Sequence, residues 1–257
     1  MGPDRIMSFR AESRSKLLDV LRSIDVMSSL RNGYRGKDAN EPYAIAHLLS
    51  SLAEVRDVLA FPLELCHRQP PLDKPDFVLS MGEKRVGVEH VEARSENETR
   101  KDNLRREKGI GPEVYLQVPA EIGEPPRSRK ELIQEIVTDD LNCGWGDQDR
   151  TDAQWATVMI HFIDDKEQKL KQYSRYDEDW LLIRDAWPFP SVSHENAANQ
   201  LCLALQKRPT RLQFHRVFII SDVNSGPICE VSESGLCLHS RNDLWGRSGI
   251  GPTHFTR

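Results

Sequence analysis

No apolar run in this sequence approaches the ~18 residues that a membrane-spanning helix needs, so no membrane partner is expected. The opening stretch, MGPDRIMSFRAESRSK, has no apolar core of the kind that secretory signals carry. Cysteines are few and scattered. Cys66, Cys143, Cys202, Cys229 and Cys237 are odd in number and form no CxxC pair, which points to free thiols in a reducing cytoplasm. Cys66-His67 has no second pair at zinc-finger spacing, so structural zinc is not expected. The GxSxG, P-loop and intact dinucleotide-binding patterns are also missing. A basic excess is lacking too: 35 Lys and Arg face 40 Asp and Glu, for a net charge of −5. That excludes a general nucleic-acid coat and leaves only local basic patches.

What remains is an ordinary globular composition, with 38% hydrophobic and 29% charged residues over 257 positions. This suits one elaborated domain or two small ones. Leu17, Leu18, Leu21, Ile24 and Val26 recur at helical spacing and predict a helix within 12–30. Residues 31–40 read as a loop. A second helix is expected over 41–60, with Pro42 in its first turn and Ile45, Leu48, Leu49, Leu52, Val55 and Leu59 on one side. Residues 76–80 and 84–92 alternate as strands, and helices are expected at 97–108, 128–141, 151–173 and 194–207. Buried strands are expected at 180–183 and 216–221, and the tail from Asn224 alternates too little to place. Four prolines and three glycines make 109–127 a loop or inserted ribbon. The sum is a mixed α/β fold.

Lys74 to Ala93, KPDFVLSMGEKRVGVEHVEA, is the most informative stretch. Gly82-Glu83 suits a two-residue type II′ turn, with glycine first. Centring the turn there pairs positions whose numbers sum to 165: Leu79 with Val86, Val78 with Gly87, Phe77 with Val88, and Asp76 with Glu89. Phe77, Leu79, Val86 and Val88 then share an apolar face, and the other face brings Asp76 and Glu89 to a Cβ separation of ~5 Å. Opposed like charges destabilise a sheet, so the pair calls for a cation, a shared proton or ample water. Two carboxylates, a backbone carbonyl and waters suit Mg2+, which activates water and neutralises phosphate charge. Taken alone, two carboxylates on a charged hairpin are commonplace.

Pro75-Asp76, a short hairpin and then Glu89 resemble the motif of the PD-(D/E)xK nuclease superfamily: an Asp opening one strand and an acidic-x-Lys on the next. The stretch LKQYSRYDEDWLLI, a Lys-containing helix end feeding a buried strand, is similar to the helix-to-strand step beyond the hairpin in many members. The similarity covers roughly residues 41–222. It implies a restriction-endonuclease-like core, a mixed central sheet with an antiparallel hairpin flanked by helices. Residues 1–40 would then be a helical extension, and 41–257 the nuclease-like domain with an insertion near 109–127.

The implied activity is hydrolysis of nucleic-acid phosphodiesters, DNA foremost, with Mg2+ or Mn2+. Asp76 and Glu89 would hold the metal, the His90 carbonyl would add a ligand, and Glu54 from the first core helix another. One departure stands out: Val91 occupies the position of the family's lysine. Lys166 or Lys169, three residues apart on one helix face, would supply the amine instead. Residues 100–108 carry five basic and two acidic residues, and 207–216 four basic and none acidic. Lys101, Arg105, Arg106, Lys171, Arg175, Arg208 and Arg211 are accordingly the candidate phosphate contacts, although such runs are more often solvated faces. The alternative is a catalytically inactive nuclease-fold module that binds nucleic acid or a protein partner. A homodimer is left open.

Overall fold

The computed structural model describes residues 7–24, 37–68, 74–110, 120–138, 148–173, 175–187, 189, 192–221, 226–242 and 244. Among them are eight strands and six helices: β1 (Ser8–Ala11), α1 (Arg14–Ser23), α2 (Lys37–Leu52), β2 (Leu63–His67), β3 (Phe77–Met81), β4 (Lys84–Ala93), α3 (Glu96–Lys108), α4 (Arg129–Thr138), α5 (Gln148–Leu170), β5 (Glu178–Asp185), α6 (His194–Gln206), β6 (Arg216–Ser221), β7 (Ile228–Ser232) and β8 (Gly235–His239). The strands form one mixed sheet in chain order. β1 to β4 pair antiparallel. β5 then joins β4 in parallel: the Asp177 N–H donates to the Arg85 carbonyl, and further along the Ala186 N–H donates to that of Ala93, both at 3.0 Å. A parallel neighbour needs a long crossover, and α3 to α5 supply it. No described helix is long and apolar enough to cross a membrane.

Two compact units divide the chain. The first comprises Met1–His90, Tyr173–Leu182 and His239–Arg257, the second Val91–Gln172 and Ile183–Leu238. In the first unit α1 is opened by Ser13, whose hydroxyl accepts from the Lys16 N–H, and buries Leu17 and Leu21 one turn apart. The core of this unit is made by Ile45, Leu48, Leu49 and Leu52 of α2 with Leu63, Leu65, Phe77, Leu79, Val86 and Val88 of β2 to β4, all with no measurable exposure. The segment 1–40 holds an edge strand, β1, as well as a helix.

The second helix starts and stops earlier than its pattern suggests. It begins at Lys37, so Pro42 lies inside it and removes one i→i−4 bond. After Leu52 the chain tightens, with Glu54 N–H bonded to the Ser51 carbonyl and Val55 N–H to that of Leu52. Asp57 follows at φ +63°, so Val55 and Leu59 cannot extend the apolar stripe as a helix.

In the second unit α3 is capped at both ends. The Ser95 hydroxyl accepts from the Glu98 N–H, and Gly109 closes the helix at φ +60°. Leu104, Leu132 and Ile136 form a small core where α3 meets α4. Trp155 of α5 is buried and donates its indole N–H to Asp185 at 2.7 Å. β6 and β7 form an antiparallel pair in which Val217 faces Val231 and Ile219 faces Cys229.

Candidate functional site

The β3–β4 hairpin adopts the expected register: Phe77 pairs with Val88, Val78 with Gly87 and Leu79 with Val86. Gly82 turns the chain at φ +63°, and Glu83 does not take a left-handed conformation. A positive φ at the first loop position alone is what a type II′ turn requires. Continuing this register one step past the start of β3 sets Asp76 opposite Glu89.

Both carboxylates are buried, Asp76 at 2% and Glu89 at 1% exposure. Asp76 is held from two sides. Its carbonyl accepts from the Arg68 N–H at 2.8 Å, and its Oδ2 accepts from the His90 N–H at 2.7 Å. The second bond fixes the Asp76 carboxylate to the residue after Glu89. The two acids therefore share the open end of one hairpin.

An amine reaches this point from a residue the sequence pattern did not single out. Lys74 Nζ lies 3.5 Å from Glu89 Oε1 and 5.8 Å from the Tyr173 ring centroid. The Lys74 side chain is 42% exposed, and its charge meets a buried carboxylate. Tyr176 covers the strand beside it. A Cβ built on Gly87 would stand 2.7 Å from Tyr176 Cδ2 and 3.0 Å from Pro75 Cγ, so only glycine allows that ring to lie so close.

A second buried pair stands on the neighbouring strand. His67 Nε2 is 3.0 Å from Glu41 Oε2, both side chains at 5% exposure or less. The His67 ring stacks on Phe77 with centroids 4.6 Å apart. Glu41 is thus a buried acid that α2 contributes. Glu54 lies past the end of that helix, half-exposed, where it pairs with Arg14 and approaches Asn242 Nδ2 at 3.5 Å.

Among the described residues no group of three or more His, Cys, Asp and Glu side chains is gathered as a metal cage. Asp76 and Glu89 offer two buried carboxylates, and Mg2+ is ordinarily held by one or two carboxylates together with water and phosphate oxygens.

Lys166 and Lys169 are on α5 in the second unit, where Lys169 pairs with Asp165 at 2.6 Å. Much of the cationic charge expected at phosphates is matched internally. Lys101 is buried against Glu98 and lies 3.5 Å from Glu135, and Arg105 is 3.4 Å from Asp102. Arg208 contacts Asp164 and Glu167 at 2.6 Å each, and Arg175 contacts Asp179 at 2.7 Å. Arg106 bonds the Asp102 carbonyl and Asn103. Lys171 and Arg211 are exposed, Arg211 at 3.8 Å from Glu233.

Sequence reasoning passed over Lys74 and Glu41, and weighed His67 only with Cys66 as half of a zinc site. A usable signal for Lys74 was present, since it stands two residues before Asp76 in the same KPD step. The Glu41–His67 pairing carried none, because it joins a helix to a strand 26 positions away. Comparison with protein-family models, curated proteins and solved structures returns no match to this chain.

Proposed function

We propose that this chain is a divalent-metal-dependent nuclease with a restriction-endonuclease-like core, hydrolysing nucleic-acid phosphodiester bonds, DNA foremost. The observation that carries the proposal is the burial of Asp76 and Glu89 at the open end of one hairpin, with the Asp76 carboxylate bonded to the His90 N–H. The order of elements supports it: a helix, three antiparallel strands, a helical crossover and a parallel strand beside β4. Such burial of two like charges is costly unless a cation or proton compensates it.

Asp76 and Glu89 would hold Mg2+ or Mn2+, with the His90 carbonyl as a further oxygen donor. Such an ion supplies Lewis acidity toward a phosphate and an acidified water. The hydrogen bond from His90 fixes the direction of the Asp76 carboxylate. Lys74 offers the amine that Val91 cannot, and its contact with Glu89 places a cation beside any phosphate drawn to the site. The free thiols of Cys66, Cys202 and Cys229 fit a cytoplasmic setting.

A second assignment, an inactive nuclease-fold module, is favoured by Val91 and by the internal pairing of Lys101 and Arg208. One assay separates the two. Labelled single-stranded and duplex DNA and RNA are incubated with the protein in Mg2+, Mn2+ or EDTA. The nuclease predicts metal-dependent cleavage that Asp76→Asn and Glu89→Gln both abolish. Absence of cleavage on every substrate, or cleavage indifferent to both substitutions, supports the inactive module.

A further inference from the structure

We infer that Arg68 and Arg85, both held on Tyr176, form the phosphate clamp that seats a nucleic-acid backbone beside Asp76 and Glu89. This deepens the nuclease proposal and rests on it. The sequence points to Lys and Arg runs at 100–108 and 207–216 for this task, but there Lys101, Arg105 and Arg208 have acidic partners. A cation already matched by a carboxylate gains little from a phosphate, because the exchange replaces one anion by another.

Charge at the mouth of the site is distributed differently. The Arg68 guanidinium donates to the Tyr176 hydroxyl at 2.9 Å and to the Lys74 carbonyl at 3.0 Å, both neutral. Arg85 lies over the Tyr176 ring with its guanidinium carbon 5.3 Å from the centroid. The acids nearby bond to groups other than these two guanidiniums. Asp177 accepts from the Arg85 backbone N–H at 2.7 Å, Glu178 from Lys84 at 2.6 Å and from the Trp180 indole at 2.7 Å, and Asp179 pairs with Arg175. Among the described residues, neither the Arg68 nor the Arg85 guanidinium has a carboxylate partner.

The link to the site runs through hydrogen bonds. The Arg68 guanidinium holds the carbonyl of Lys74, the residue whose amine meets Glu89, and the Arg68 N–H holds the carbonyl of Asp76. A planar guanidinium presents a fork of donors that matches phosphate oxygens, and a neutral aromatic support orients it without cancelling its charge. Tyr176 is the positioning residue, and Gly87 leaves room for its ring.

The test is salt-dependent binding in EDTA, measured by fluorescence anisotropy on the full chain carrying Glu89→Gln. The probes are one labelled oligonucleotide sequence as single-stranded DNA, single-stranded RNA and duplex DNA. Substituting both arginines, Arg68→Gln and Arg85→Gln, is expected to weaken binding roughly tenfold for each arginine, as lost charged hydrogen bonds do. The slope of log affinity against log salt should fall by about 0.7 per arginine on single strands and ~0.9 on duplex. Tyr176→Phe, which keeps the ring under Arg85 and removes the anchor of Arg68, should lose the smaller part of this. Arg22→Gln on α1 is the charge control and should change nothing beyond a general screening effect. Arg85→Gln alone, at an exposed position, covers the case in which the double variant does not fold.

Unchanged affinity and slope in the arginine variants would overturn the clamp, as would an equal loss in Arg22→Gln or no retention of any probe at low salt. If binding responds as expected while the protein without Glu89→Gln cleaves nothing in Mg2+ or Mn2+, the clamp stands and the nuclease assignment falls.

Discussion

Gly87→Ala tests the packing that closes the site from one side. The backbone at Gly87 is not left-handed, so alanine meets no conformational obstacle and would gain about 0.5–1 kcal/mol over glycine within a strand. The added methyl, however, would stand 2.7 Å from Tyr176 Cδ2, 3.2 Å from Cε2 and 3.0 Å from Pro75 Cγ. All three atoms belong to rings, and the Tyr176 ring is further restrained by its hydroxyl bond to Arg68. Overpacking of this kind costs roughly 1–3 kcal/mol. The net expectation is a change between neutral and a destabilisation of about 2.5 kcal/mol, the difference of the two effects. Urea unfolding of the parent, Gly87→Ala, Tyr176→Ala and the double variant measures it through the midpoint at constant slope. In the Tyr176→Ala background the alanine should become neutral or stabilising, giving a coupling of at least ~1 kcal/mol. A stabilising Gly87→Ala in the parent, or the same effect in both backgrounds, would refute the claim that the Tyr176 ring rests on that glycine.

Two further predictions concern the second unit. Lys101→Ala should cost about 3–5 kcal/mol in urea unfolding, because it strips the amine from Glu98 under cover; oligonucleotide affinity should not change, and a large loss of affinity would restore Lys101 as a phosphate contact. Burial lowers the affinity of His194 for a proton, against a smaller opposing pull from Asp152. With the folded pKa below the unfolded one, the unfolded chain binds more protons, so stability should fall as pH drops below about 6.5. His194→Gln should flatten that acid limb in unfolding curves taken from neutral pH downward, and an unaltered limb would contradict the assignment.

How much of this was legible depended on whether the information was local. The hairpin register followed from Gly82-Glu83 and from the alternation of Phe77, Leu79, Val86 and Val88, all within one short span. The long helix α5 and the strand β6 were readable for the same reason, their periodicity being strong over their own length. β1 and β2 were not. Four and five residues hold too few repeats to announce a strand, and β2 spends two of its positions on Cys66 and His67. The end of α2 was missed because Val55 and Leu59 preserve helical spacing through a segment whose backbone turns at Asp57.

At the site, the acids were legible because a strand pair converts sequence distance into a fixed cross-strand neighbour. The cations were not, because whether a charge is available depends on partners distant in sequence. Arg208 finds Glu167 across 41 positions, and Arg68 finds Tyr176 across 108. Composition treats those two arginines alike, and only the fold separates the neutralised one from the other.

The most direct test of the two-carboxylate centre is Mn2+ binding followed by electron paramagnetic resonance. The full chain should bind a saturating Mn2+ site that Mg2+ displaces, weakened more than tenfold by Asp76→Asn and by Glu89→Gln, since losing even a supporting contact typically costs 10–100-fold. A titration without a saturable site, or with equal affinity in all three proteins, would show that Asp76 and Glu89 do not hold a metal together.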